Sequence, residues 1–301
     1  MKKGNMFILL TALAYSTQEI ANKMLVKEGL DSFQITFFIF LIGAILLTPL
    51  AIKDIKDKNL KLGINDLVYF SLNAALCIPI SMALLSFAGK YTLASTSAVI
   101  FSSNALFTVP FAYLILKEKI NKKILTSLII GMIGVIIIFN PVKIINGGGT
   151  SDLLGITLAL GSAAAWSLFT VISKIRIHRY GGYIFNCIVF YVGTLMVLLI
   201  LLVTGRPIIK GIDGHAVLVL GYMGLFVKAI GYICYLGAIR LTSAVTASLV
   251  FLIKPALATI LAVMVLGDKL KVNVVIGIVF IIVSSYIAFK SKRAYEAVVL
   301  D

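Results

Sequence analysis

Long apolar stretches alternate with short polar segments along the whole chain. Each apolar run is long enough to cross a bilayer, which takes about 20 helical residues. Clusters of glycine, proline, asparagine and charged residues divide the chain into ten such runs. The predicted spans are 5–25, 32–52, 65–87, 93–116, 122–140, 152–174, 182–204, 215–239, 243–266 and 271–289. The pattern therefore predicts an all-α integral membrane protein with ten transmembrane helices.

The composition strengthens this prediction. The chain is 60% hydrophobic and 13% charged, with a mean hydropathy of +1.08. A soluble domain has about 45–50% apolar and about 25% charged residues. The first span is too long for a signal peptide, and no small-residue cleavage site follows it. These features exclude an ordinary soluble domain.

The basic residues predict the orientation. With the N-terminus inside, most lysines and arginines lie at the cytoplasmic ends of spans, for example in 53–61 and 117–123. The positive-inside rule then predicts a cytoplasmic (inner) membrane protein with both termini in the cytoplasm. Because the basic residues are scattered over span ends, the net charge of +15 does not indicate a nucleic-acid partner.

The cysteines and histidines offer no metal or cofactor site. Cys77, Cys187 and Cys234 lie inside apolar spans, without the CxxC or Cys/His spacing of a metal centre. We read them as buried apolar residues, and we expect no metal ion and no cofactor. HExxH, GxSxG and paired-aspartate signatures are absent from the sequence, which argues against an intramembrane enzyme.

The chain repeats itself. With a shift of 150 residues, TLASTSAVIF (92–101) aligns with TSAVTASLVF (242–251), and LKEKI (116–120) with LGDKL (266–270). With a shift of 151, ALAYSTQEIANK (12–23) aligns with AAAWSLFTVISK (163–174). The informative pairs are Tyr15/Trp166, Ser16/Ser167, Lys23/Lys174 and Glu118/Asp268. We expect Glu118 and Asp268, at the ends of spans four and nine, to cap the helices that follow.

Each half contains five predicted spans, so the second half must enter the membrane with opposite topology. The predicted units are a first five-helix repeat (1–143), a Gly-rich linker (144–151), a second, inverted five-helix repeat (152–290) and a polar tail (291–301). Inverted repeats are typical of secondary transporters, whose binding site lies near the membrane midplane between the repeats. The repeat therefore predicts a transporter that works by alternating access.

The aromatic–Ser–x6–Lys pattern of the first span, repeated in the sixth, resembles the drug/metabolite transporter superfamily, EamA branch. The acidic residues in LKEKI and LGDKL extend this resemblance over roughly 5–290. It implies a ten-helix carrier whose cavity is lined mainly by spans one, three, four, six, eight and nine. It also implies export of amino acids or related metabolites. Ala105 departs from the family pattern, because a proline is common at this position of span four.

Three charged residues fall inside predicted spans. Lys228 and Lys254 lie at the middle of spans eight and nine, and Glu19 lies slightly beyond the middle of span one. An ionised side chain at a helix centre costs about 2.5–3.5 kcal/mol, so each needs a partner, water or a changed protonation state. Polar stripes on neighbouring spans predict further lining residues. The candidate substrate-binding residues are Lys254, Lys228, Glu19, Asn104, Trp166, Tyr15, Asn73 and Tyr232.

The charges favour a small polar substrate, either an amino acid or an organic anion held by the lysines. Glu19 would then bind an amine of the substrate or couple transport to protons. Alternatively, the protein is a proton-coupled carrier of amines or lipophilic cations that uses Glu19. Lys254 could instead form a structural ion pair with Glu19, and Lys228 could snorkel to an aqueous edge.

A third alternative is a membrane receptor or scaffold that does not transport. In each case the expected partners are a small molecule and the lipid bilayer. Ten spans form a complete pathway in a monomer, and a homodimer is equally compatible with the sequence.

Overall fold

The computed structural model describes residues 3–91, 100–118, 122–139, 150–254, 257, 272, 275–284, 286 and 287. Within these ranges, the side chains of residues 19, 20, 23, 27, 86, 89, 90, 135, 138, 139 and 150–153 are outside the description. Residues 144–149 of the predicted linker, the polar tail 291–301, and Pro255 and Asp268 also lie outside it. The described residues are helices joined by short turns and contain no strand, in agreement with the all-α prediction.

The first half of the chain begins with α1 (Lys3–Lys27) and α2 (Ser32–Asp57). A longer helical segment follows, made of α3 (Ile64–Ala75), a first π segment (Leu76–Ile80) and α4 (Ser81–Tyr91). One helical turn at 100–102 then leads into α5 (Asn104–Leu116), and α6 is Lys122–Phe139.

The second half begins with α7 (Thr150–Val203) and α8 (Gly214–Tyr222). A second π segment (Met223–Gly231) connects α8 to α9 (Tyr232–Leu241). The chain then forms α10 (Ala244–Lys254) and α11 (Val275–Ser284).

Side-chain caps fix where several helices begin. The Asp31 carboxylate accepts from the backbone N–H of Phe33, and the Gln34 side chain accepts from the N–H of Asp31, which forms a capping box for α2. Asp213 caps α8 through the N–H of Ala216 at 2.7 Å. These caps satisfy backbone donors that have no partner inside the helix. These two helices therefore each begin next to a polar capping residue.

Gly181 divides α7 into two arms. Its φ of 77° and ψ of 173° interrupt the helical geometry, in a region that glycine alone adopts readily. The first arm therefore continues to residue 180, beyond the predicted end of span six at residue 174. The second arm, 182–203, corresponds to predicted span seven.

Four helical stretches of the described residues are long and apolar enough to cross a bilayer. They are Ser32–Asp57, Ile64–Leu85, Leu154–Val203 and Gly214–Leu241. Shorter apolar helices are Ile100–Leu116, Ala244–Lys254 and Val275–Ser284. The chain is therefore an all-helical protein with several apolar spans, and the arrangement of ten helices in two inverted repeats stays a prediction.

The 150-residue shift of the sequence also relates helix boundaries. The segment formed by α3, the first π segment and α4 runs from residue 64 to 91. The segment formed by α8, the second π segment and α9 runs from residue 214 to 241. Both boundaries differ by 150 residues, and each segment contains its π turns in the middle. The two copies therefore share a local irregularity that hydropathy alone does not predict.

Helix α7 packs against α2, α3, α4, α5 and α9, and so it lies at the centre of the molecule. One polar cluster fastens its first arm to the start of α3. The buried Asp66 carboxylate accepts from Arg176 at 3.0 Å, from Arg179 at 3.2 Å and from the Tyr180 hydroxyl. The Asp66 carboxylate also accepts a hydrogen bond from the backbone N–H of Gly63 at 3.0 Å.

The second π segment lies very close to α2. A Cβ atom on Gly43 would be 3.0 Å from the Cβ of Lys228, and one on Gly224 would be 2.4 Å from the Cγ2 of Ile42. Small residues allow membrane helices to approach in this way. The two glycines therefore set the distance between α2 and the segment that carries Lys228.

Candidate binding cavity

A cavity lies between α1, α4, α7, α9, α10 and the second π segment, next to the helical turn before α5. It is small, with a volume of about 20 Å³, which is room for about one water molecule. Its lining residues are Tyr15, Gln18, Met82, Phe101, Trp166, Lys228, Tyr232, Phe251 and Lys254. They come from predicted spans one, three, four, six, eight and nine.

Several lining residues are counterparts in the sequence repeat. Such pairs place similar side chains on walls that come from the two halves of the chain. The pairs are Tyr15 with Trp166, Met82 with Tyr232 and Phe101 with Phe251. Lys254 is the counterpart of Asn104, and Lys228 is the counterpart of Ile78. The repeat therefore accounts for the apolar walls but not for the positive charges.

Aromatic rings form most of the cavity wall. The centre of the Trp166 ring lies 5.6 Å from the ring centre of Phe251, and 5.9 Å from the ring centres of both Phe101 and Tyr232. All three pairs have edge-to-face geometry. Tyr15 contacts Tyr232 at 5.6 Å in the same way. Edge-to-face contacts are a favourable arrangement of aromatic pairs and hold each ring in place. The wall is thus largely aromatic.

Lys228 lies in the second π segment and is 1% exposed. Its ammonium nitrogen is 4.4 Å from the centre of the Phe40 ring and 5.2 Å from that of Tyr232. It also donates to Gln18 Oε1 at 3.4 Å. Cation–π contacts of this kind are strongest where water is excluded. The protein therefore keeps a cation deep in the wall with an aromatic cage and an amide oxygen.

Lys254 lies at the end of the described part of α10, one turn beyond Phe251. It is only partly buried and lines the same cavity as Lys228. Since α10 begins at Ala244, about 15 Å of helix separates Lys254 from the first residue of that helix. The length of α10 therefore positions the Lys254 side chain at the cavity, far from the start of that helix.

Two polar atoms of the wall are buried without a hydrogen-bond partner among the described residues. They are the Tyr15 hydroxyl and Trp166 Nε1, in side chains that are each 3% exposed. A buried polar group without a partner costs about 1–3 kcal/mol. Both groups can donate a hydrogen bond, and both belong to residues that line the cavity. They are therefore suited to a ligand that supplies acceptors.

The structure brings together five of the eight predicted site residues. Tyr15, Trp166, Lys228, Tyr232 and Lys254 line one cavity.

Asn73 and Asn104 are fully buried and are not among the lining residues. Each amide donates to its own helical segment, Asn73 to the carbonyl of Tyr69 and Asn104 to that of Phe101, at 2.8 Å in both cases. In this structure neither amide lines the cavity, and their role in substrate binding stays a prediction. The side chain of Glu19 lies outside the described part of the structure.

The sequence reasoning missed Phe101 and Phe251 in the cavity wall. Both stand at the last position of the aligned segments TLASTSAVIF and TSAVTASLVF, so the repeat itself carried the signal. Met82 and the cage residue Phe40 had no such signal, because an apolar residue in an apolar span is ordinarily core. Only the packing of the helices identifies them.

Glu118 was predicted to cap the helix that follows, but residues 119–121 before that helix lie outside the described part of the structure, and the contacts of Glu118 are with a different helix. Its Oε1 accepts from the backbone N–H of Ala244 at 3.1 Å, at the start of α10, and lies 3.3 Å from Lys174 Nζ. Lys174 also donates to the carbonyl of Thr242 at 2.7 Å. A carboxylate at a helix N-terminus is stabilised by the helix dipole. The contact ties the end of α5 to the helix that carries Lys254.

No group of three or more His, Cys, Asp or Glu side chains suited to a metal ion occurs within the described ranges. The three cysteines are buried as free thiols.

The sequence model of the EamA-like transporter family matches residues 2–140 and again residues 153–290. A protein of Clostridium kluyveri described as an uncharacterized transporter is 60% identical over 295 residues, which cover 97% of this chain and 95% of that protein. An Archaeoglobus fulgidus protein, also described as an uncharacterized transporter, is 21% identical over 285 residues, covering 95% and 96%.

A solved crystal structure resembles the fold over nearly its full length. The TM-score is 0.81 at 15% identity, and the match covers 97% of this chain and 98% of the other. At that identity the likeness concerns the fold alone.

Proposed function

The chain belongs to the EamA-like transporter family, and from this premise we propose that it is a multi-pass secondary transporter of a small polar metabolite. It works by alternating access around the cavity, which lies between two inverted five-helix repeats. The family model matches each half of the chain separately, which supports two repeats. The proposed direction is export, on the basis of the family resemblance.

The observation that carries this proposal is the composition of the cavity wall. Counterpart residues of the two halves, such as Tyr15 and Trp166 or Phe101 and Phe251, line the same space. In an inverted-repeat carrier, the site lies at the interface of the repeats, where a change in their packing opens it to either side. A cavity built from repeat-related positions has the arrangement that this mechanism needs.

The charges of the cavity support an amino acid or an organic anion as substrate. Lys228 and Lys254 both line it, and a carboxylate would form charge-assisted hydrogen bonds with them. In this proposal Glu19 takes up a proton or an amine of the substrate. Neither role of Glu19 is needed for the anion to bind.

Reconstituted vesicles test the proposal. Purified protein in sealed liposomes should exchange radiolabelled amino acids or organic anions, and Lys254→Met should abolish the flux. Lys53→Met, at an exposed position on α2, is the matched control and should transport normally. Loss of flux in Glu19→Gln, with normal flux in Lys254→Met, would identify a carrier of amines. Ligand binding without any flux would contradict transport and identify a receptor.

A further inference from the structure

We propose that Glu118 and Lys174 form an ionic latch that closes the path between one end of the molecule and the cavity. The inference rests on the proposed function, because a carrier that works by alternating access must close each side of its site in turn. It goes further by assigning the closure of one side to particular residues.

The latch joins the two halves of the chain. The Glu118 carboxylate, just after α5, lies 3.3 Å from Lys174 Nζ and accepts from the backbone N–H of Ala244 at 3.1 Å. Lys174 also donates to the carbonyl of Thr242 at 2.7 Å. The side chains of Glu118 and Lys174 are only 15% and 18% exposed, so salt screens this pair less than a surface pair. The contact thus holds the end of α5, in the first half, against α7 and α10 of the second half.

Two helix faces connect the latch to the cavity. Trp166, Thr170 and Lys174 are spaced four residues apart along α7, so they share one face of that helix. Ala244 and Phe251 are seven residues apart along α10 and share a face in the same way. With a rise of 1.5 Å per residue, the latch lies about 12 Å from Trp166 along α7 and about 10 Å from Phe251 along α10. It therefore lies two helical turns beyond the cavity wall, towards one end of the molecule.

Tyr235 bridges the same two faces and is fully buried. Its hydroxyl shares a hydrogen bond of 2.7 Å with Thr170 Oγ1 on α7. The centre of its ring lies 6.3 Å from that of Trp166 and 5.8 Å from that of Phe251 on α10. A solute that enters from this end must therefore separate α7 from α10 and displace Tyr235.

The size of the cavity shows that such a movement is needed. A volume of about 20 Å³ holds about one water molecule, so an amino acid or an organic anion enters only if the helices separate. A partly exposed ion pair suits a contact that must open reversibly, because both charges regain water when it breaks. Release of the latch would free the start of α10, whose described end carries Lys254.

Labelling of a cysteine in the cavity tests the latch on the full-length protein in sealed membrane vesicles of known orientation. Met82→Cys places a thiol in the cavity wall, and a membrane-impermeant maleimide reports access to it from one side. Adding Glu118→Gln removes one charge of the ion pair and keeps the shape of the side chain. We expect it to speed labelling about tenfold from the side of the latch, which is the predicted cytoplasmic side, and to leave labelling from the other side unchanged.

Variants of the partner residue separate charge from packing. Lys174→Met should speed labelling in the same way as Glu118→Gln. Lys174→Arg keeps the positive charge and should label as slowly as Met82→Cys alone.

Asp57→Asn is the matched control, because it also removes one carboxylate charge, at an exposed position at the end of α2. It should not change the labelling of Met82→Cys. The same proteins without Met82→Cys give the background from the three buried native thiols.

The outcomes separate this inference from the proposed function. Unchanged labelling in Glu118→Gln overturns the inference, even if the vesicles transport normally, and a lower melting temperature would then assign the ion pair a purely structural role. An equal increase from both sides also overturns it, because that result indicates general loosening of the fold. Faster labelling from one side only, without flux of any solute, supports the latch and contradicts transport.

Discussion

Lys228 shows how one side chain can carry a positive charge inside an apolar protein. The rings of Phe40 and Tyr232 and the amide oxygen of Gln18 contact its ammonium group, and Gly43 leaves room for its stem. The π segment around it widens the helix, and such segments often occur at functional sites. Neutral groups from three helical segments thus contribute to the support of this charge.

The replacement Lys228→Met tests what this charge does. Removing a buried charge relieves its desolvation penalty, which is several kcal/mol per ion, unless a partner of opposite charge stays buried without it. We expect an unchanged or higher melting temperature, together with at least tenfold weaker binding of anionic ligands. Melting curves recorded with and without an organic anion, such as 3-phenylpropionate, measure the melting temperature and the binding of the anion. A less stable variant that binds normally would instead assign Lys228 a purely structural role.

The helical elements differ from the sequence prediction mainly where they are irregular. Hydropathy predicted a continuous span at 215–239, whereas the structure divides this region into α8, a π segment and α9. Gly224, within the π segment, contacts Ile42 of α2 so closely that an added methyl group would overlap it. The irregular element and the close approach occur together.

Gly224→Ala tests this contact. The new Cβ would lie 2.4 Å from Ile42 Cγ2, and relief of such overpacking typically costs about 1–3 kcal/mol. The melting temperature should therefore fall, and the displacement of Lys228 should weaken ligand binding. Gly221→Ala on α8 is the control, because no atom lies within 4 Å of its added Cβ. That variant should be as stable as the parent protein, and equal destabilisation of both would argue against the close approach.

On the scale of the whole molecule, the alternation of apolar and polar segments predicted the helical class, because lipid and core exclude charge. Which spans line the cavity was implied only by the family resemblance. The sequence did not predict that Asn73 and Asn104 bond within their own helices. Such local bonds compete with cavity contacts, and the residue type does not show which one wins. The contact of Phe40 with Lys228 could not be predicted either, because it depends on how two helices pack.

Reporter fusions test the arrangement of the ten predicted spans. Alkaline phosphatase fused after residue 146 should be active, because five spans would place the linker outside. The same enzyme fused after residue 301 should be inactive, and a green fluorescent protein there should fluoresce. Activity at both positions, or at neither, would rule out two repeats of opposite orientation. Immunoblots of the fusions control for expression.

Both lysines of the cavity lie in the second half of the chain, opposite Asn104 and Ile78 at the corresponding positions of the first. If the halves descend from one duplicated segment, the shared aromatic walls are inherited geometry and the charges are later divergence. Evolution can then change the chemistry of the ligand through one copy, while the other preserves the shape of the site. In a duplicated protein of this kind, the residues that shape the site must stay matched between the halves, whereas the charged residues of one half are free to vary.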